Sequence, residues 1–159
     1  MLAQQIRELI ITPAFQSVGL WSESSDILVY GTGHVESGYR DIIQQPKGVA
    51  LGFFQMEPAT YLDHRHWLTR GMGRKYLKPI LALCYYDILP TDPMFLCSDI
   101  KFAALMCRID YLRAKPDLPN PNDAMGFANY HKKHYNSYLG KTHVLDSVNV
   151  FQQVIDRTL

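Results

Sequence analysis

The stretch YGTGHVESGYRDII, residues 30–43, decides how the rest of the chain is read. It is the second half of an expected helix. Ser22 to Ser25 offer N-caps upstream, Ile27, Tyr30, His34 and Val35 fall on one face, and Gly38 can close the helix in the left-handed conformation. Glu36 therefore stands at a helix C-terminus, where the macrodipole disfavours a negative charge. Its neighbours are small or apolar. Both features are expected to favour the protonated carboxyl, which a general acid at neutral pH requires. Taken alone, the stretch reads first as a solvated or capping glutamate.

Composition narrows the classes. The chain has 159 residues, 47% of them hydrophobic, which suits one domain over residues 1–159 with a sizeable core. Sixteen basic against fifteen acidic residues leave a net charge of +1, too little for a field that collects nucleic acid. Aromatic residues make up 12%, led by Tyr, which suits a wet cleft as well as a core. The three cysteines, Cys84, Cys97 and Cys107, form no CxxC, and a disulfide framework is not expected. The opening run MLAQQIRELIITPAF lacks a basic start and a cleavage site, so no signal peptide is expected. No apolar run reaches the ~20 residues that span a bilayer.

The punctuation predicts a mainly α fold of seven or eight helices with at most a small β-hairpin. Leu2, Ile6, Leu9 and Ile10 share a face over 2–11, and Thr12–Pro13 is expected to start a second short helix ended by Gly19. Residues 39–55, with Pro46, Gly48 and Gly52, read as irregular with a short hairpin. Glu57–Pro58 opens a helix, TRGMGRKYLKP reads as a glycine-broken basic loop, and residues 76–89 read as a helix bent or started near Pro79. A long helix is expected over 93–114, and further helices over 123–136 and 143–157.

A second segment changes the weight of the first. ALGFFQMEPAT, residues 50–60, follows Glu36 after a loop of ordinary length. The ordered pair HVESGY and ALGFFQMEPAT resembles the lysozyme-like superfamily, specifically lytic transglycosylases and phage peptidoglycan hydrolases. Their pattern is a helix ending in Glu-Ser, then Gly, two apolar residues, Gln and Met or Ile, then a Pro-Ala-Thr helix start. The match falls on Glu36, Ser37, Gly52, Gln55, Met56, Pro58, Ala59 and Thr60, within about residues 26–60. The family's alanine-rich Tyr-Leu helix is similar to FAALMCRIDYLRAKP, with Tyr111 and Leu112. Its late Tyr-Asn-Ala-Gly motif is absent. Tyr130–His131 and Tyr135–Asn136 are the two registers available, and Tyr130 is preferred because it stays on the helix that begins at Asp123.

The resemblance implies an α+β lysozyme-like domain that cleaves the bond between N-acetylmuramic acid and N-acetylglucosamine. Glu36 is then the general acid/base. Phe54, Gln55, Tyr111, Tyr130 and His131 are expected to bind the sugar, and Ser37 to support the Glu36 carboxylate. Lysozymes of this superfamily often carry a second carboxylate in the following loop. Here Asp41 and Glu57 are the acids at hand, and neither has a fitting spacing. A single-Glu enzyme uses the substrate's acetamido group as nucleophile and releases a 1,6-anhydro product, which makes a lytic transglycosylase the leading expectation. A muramidase using Glu36 with Asp41 or Glu57 is the alternative. A glycan-binding or virion structural module without chemistry is the other class. With no signal peptide, the resemblance implies a phage product made in the host cytoplasm. It would reach bacterial peptidoglycan in the periplasm or as a virion component beside other virion proteins.

Other motifs are weaker. DHRHW and HKKH space histidines at two and three residues, short of a zinc ligand set, and no metal or cofactor is expected. YLGKT, residues 138–142, lacks the earlier glycine and the strand of a phosphate loop. GTGHVESG has its third glycine too late for a dinucleotide fingerprint. The basic cluster Arg70, Arg74, Lys75 and Lys78 reads as a solvated loop.

Overall fold

The computed structural model describes residues 2–44, 47–136 and 143–159. The architecture is mainly helical, as expected: α1 (Leu2–Ile6), a π-helical stretch (Arg7–Ile11), α2 (Thr12–Ser17), α3 (Glu23–Glu36), α4 (Pro58–Arg70), α5 (Arg74–Cys84), α6 (Phe95–Ser98), α7 (Ile100–Arg113), α8 (Ala124–His134) and α9 (Val144–Ile155). No described helix is long and apolar enough to cross a membrane.

The first surprise is at Thr12–Pro13. No new helix starts there. Ile11 is itself helical, and the chain runs from α1 to α2 through the π stretch. A π turn reaches back five residues, and the residues buried here, Ile6 and Ile11, are five apart. Leu2 and Leu9, expected on the core face, are exposed. Thr12 does not cap the backbone. Its hydroxyl donates to Asp26 on α3, whose other oxygen receives Arg7 Nε at 2.7 Å. This partly buried trio ties the N-terminal helices to the central helix.

That central helix is α3. Ser22 and Ser25 close a reciprocal capping box at its start, with bonds of 3.0 and 2.8 Å. Residues 25–33 are all buried, and the helix packs on α7, α8 and α9. Burial on every face over these nine residues sets the helix in the middle of the protein. Two of its glycines are there for close approach. A Cβ on Gly31 would lie 2.3 Å from the Phe151 ring of α9, and one on Gly33 would lie 2.3 Å from Tyr39 Cζ. Beyond Gly38, Tyr39 takes a left-handed φ of 54°. Its ring thereby folds back over Gly33 and donates to the Tyr30 carbonyl at 3.0 Å.

His34 lies edge-on to Tyr30 and Tyr39, with centroids 4.7 and 4.9 Å away, and its Nε2 is buried without a partner. Burial first, then the Arg7 charge, lowers its pKa from 6.5 to about 4. Between those values the unfolded chain binds the extra proton and the folded chain does not. Stability is therefore full above pH 6.5 and falls as pH drops toward 4. The ceiling is about 1.4 kcal/mol per pH unit. Solvent reaching the ring reduces the total to roughly 1–2 kcal/mol. Urea unfolding at pH 7 and pH 4.5 is expected to show this loss in the wild type and a flatter profile in His34→Phe. Equal losses in both would remove His34 from the account.

Later boundaries also move for local reasons. The expected helix over 93–114 is split, because the Asp99 side chain takes Phe102 N–H at 2.9 Å and caps a fresh helix, α7. The helix placed at 76–89 spans Arg74–Cys84 with Pro79 inside it, and left-handed Tyr85 (φ 58°) ends it. Arg74, Lys75 and Lys78 thus sit on a helix rather than in a loop. The hairpin reduces to two isolated antiparallel bridges, Ile43 with Leu51 and Leu51 with Met56. Cys84 and Cys107 are free, buried thiols, and Cys97 Sγ meets the Ile42 carbonyl at 3.0 Å. Pro46 and the YLGKT segment lie outside the described residues.

Candidate active site

The end of α3 and the loop before α4 are brought together by hydrogen bonds to backbone. Ser37 Oγ donates to the Phe53 carbonyl at 2.7 Å, and Tyr135 Oη donates to the Phe54 carbonyl at 2.6 Å. Gln55 takes a left-handed φ of 49° and turns its side chain back, so that Nε2 donates to the Gly52 carbonyl at 2.8 Å. Its contact with the Asp41 carbonyl is longer, at 3.4 Å. The two segments that stand fourteen or more residues apart in the chain thereby form one wall.

Against this wall lies a cleft of about 160 Å³. Glu36, Gln55, Glu57, Asp110, Tyr135 and Asn136 are among the residues that line it. Glu36 is partly buried. Its Oε1 lies 2.8 Å from Nε2 of His131, a ring with no exposure at all, and 3.4 Å from Nδ2 of Asn136. A carboxyl group held by a buried imidazole and open to a cleft is suited to proton transfer at a fixed point.

The expected sugar-binding residues divide. Gln55 lines the cleft, and it also pins its own loop. Tyr111 does not line it: the ring is buried, its hydroxyl pairs with Thr32 Oγ1 at 2.7 Å, and it stacks beneath Tyr135 at 5.2 Å. Burial, the largest cause, pushes the phenols of Tyr111 and Tyr135 well above the ordinary value, so both remain neutral donors. Phe54 is 1% exposed and packs in the core, offering the site only its carbonyl.

Four further assignments are corrected. Tyr130 points away, donating to the Pro116 carbonyl at 2.8 Å; the late tyrosine in the cleft is Tyr135. Staying on α8 turned the side chain at 130 toward the Pro-rich loop, and leaving the helix at Tyr135 (φ −120°) is what aims that ring at the wall. His131 is too buried to touch sugar and holds the Glu36 carboxyl instead. Ser37 latches the loop backbone rather than the carboxylate. Asp41 is exposed and outside the cleft lining, because the chain turns at Gly38–Tyr39 and carries it away.

Asn136 and Asp110 are among the lining residues that escaped the sequence reading. Asn136 belonged to the register set aside. Asp110 is an acid inside the apolar run FAALMCRIDYL, and a charge at such a place is itself a signal. Among the described residues no group of three His, Cys, Asp or Glu side chains is arranged to hold a metal ion. No family model, curated protein or solved structure matches the chain.

Proposed function

We propose that the chain cleaves the glycan strands of bacterial peptidoglycan between N-acetylmuramic acid and N-acetylglucosamine, with Glu36 as general acid and base. The observation that carries this reading is the Glu36 carboxyl, fixed by buried His131 and opening into a cleft walled by Gln55 and Tyr135. The resemblance of HVESGY and ALGFFQMEPAT to lytic transglycosylases supports the substrate class. Glu36 protonates the glycosidic oxygen. The acetamido oxygen of the substrate attacks the anomeric carbon as the bond breaks. The sugar's 6-hydroxyl then displaces it and returns the proton to Glu36, leaving a 1,6-anhydro end.

The presence of Glu57 and Asp110 in the same lining favours one further reading, a hydrolytic muramidase in which a second carboxylate activates water. Purified peptidoglycan separates the two. Mass spectrometry of the released fragments is expected to show anhydro ends. Reducing ends would support the muramidase. No release at all would leave a glycan-binding or virion structural module.

A further inference from the structure

The cleft wall opposite α3 carries a charge that the proposed reaction has not yet used. Asp110 projects from α7 into the same cleft as Glu36. It is not loosely solvated, for its side chain is 17% exposed and Oδ1 lies 2.8 Å from Nε2 of His64, a ring only 3% exposed. The other nitrogen of that ring, Nδ1, lies 2.8 Å from Arg113 Nη1. A guanidinium has no lone pair to accept with, so Nδ1 is the acceptor and the ring proton sits on Nε2, facing Asp110. That N–H is imperfectly aligned on the carboxylate, although the contact is close. Arg113 is itself held by Asp63 at 2.6 Å. The series Asp63, Arg113, His64, Asp110 thus fixes a carboxylate from behind while its front faces the cleft. Asp110, Glu36 and Tyr135 all line this cleft. Both carboxylates line one cleft and so face one bound stretch of glycan.

We propose that Asp110 is a catalytic residue that receives the N–H of the substrate's 2-acetamido group and stabilises the cationic ring formed when that group attacks the anomeric carbon. The inference rests on the peptidoglycan reading and specifies its nucleophile. The bonds balance without any further reactant. Glu36 gives its proton to the glycosidic oxygen, the bond from the anomeric carbon to that oxygen breaks, and the acetamido oxygen bonds to the carbon. Positive charge then rests on the O–C–N–H unit, and Asp110 faces the N–H. The 6-hydroxyl next bonds to the anomeric carbon, the acetamido oxygen leaves, and the hydroxyl proton passes to Glu36. Asp110 keeps the same charge throughout. An oxygen already met by the His64 proton is better suited to holding an N–H than to taking a proton from water.

Steady-state kinetics on purified peptidoglycan, with product analysis and thermal melting, tests this. Asp110→Asn preserves shape, and its amide nitrogen or oxygen cannot supply the charge. The expected result is anhydro products from the wild type and a kcat roughly 10²-fold lower in Asp110→Asn, the scale of one lost electrostatic stabiliser. KM stays within about threefold and the melting temperature within a few degrees, because the loss is specific to the transition state. Should the asparagine variant fail to fold, Asp110→Glu keeps the charge, misplaces it, and is expected to lower kcat in the same direction. Unchanged kcat overturns the role of Asp110 while Glu36 chemistry stands. Reducing ends from the wild type overturn it too, in favour of water activation. An inactive wild type overturns both this inference and the reading beneath it.

Discussion

Glu36→Gln is expected to lower the release of peptidoglycan fragments by about 10³-fold, within the span of general acid–base effects, while the protein melts at the wild-type temperature. Glutamine has the volume of glutamate, and its amide can still pair with His131 Nε2 and the Asn136 amide, which meet Oε1 at 2.8 and 3.4 Å. What it cannot do is deliver a proton to a leaving oxygen or recover one. The residue is at the margin of the core, so the substitution removes chemistry without removing packing. Fragment release followed by mass spectrometry, with melting as control, reads both. A variant that keeps activity within tenfold of wild type would take Glu36 out of the reaction.

Phe151→Ala is expected to give the largest loss of stability of any single truncation considered, about 3–5 kcal/mol for a buried aromatic residue. For a chain of this length that corresponds to a fall of roughly 10 °C in melting temperature. Phe151 is fully buried, stacks on Phe127 of α8 at 5.7 Å, and fills the notch left by Gly31 on α3. It joins three helices at one point. The complementary change, Gly31→Ala, places a methyl 2.3 Å from the same ring and is expected to cost about 1–3 kcal/mol by overpacking. Combined, the two changes are expected to cost less than their sum, because the methyl enters space the ring has vacated. Urea unfolding of the four proteins measures the coupling. Strict additivity would show that the ring and the glycine do not share that space.

The helices and the helix-end carboxyl of Glu36 were legible in the sequence because their causes are local. Ser22, Ser25 and Gly38 bound α3 through contacts within one turn, and Gly38 has the positive φ its position requires. What was illegible depended on partners far along the chain. Thr12 looks like a cap until Asp26 is beside it. Tyr130 is the better candidate on helix continuity until the path of the chain past His134 brings Tyr135 to the cleft. The helix expected over 93–114 concealed Asp99, a capping residue placed where a periodic apolar pattern runs through it. Asp110 was visible as a charge in an apolar run, but its use depends on His64, 46 positions earlier, and on Arg113. The motif halves named the neighbourhood of the site; the charges that complete it come from α7 and α8, whose faces the motifs do not describe.

The two bonds that hold the wall of the cleft both end on peptide oxygens, at Phe53 and Phe54, and neither uses what those residues carry beyond the backbone. The anchoring is therefore blind to residue type on the loop side. Evolution can exchange the identities at 53 and 54, within the limits of packing, and the carboxyl-bearing helix end will stay docked. Only the donors, Ser37 and Tyr135, must be kept for the anchoring itself. Such a seam lets a loop drift in its spelling while its position endures, and kinship between distant chains of this kind would then be written in donors and spacings more than in letters of the loop.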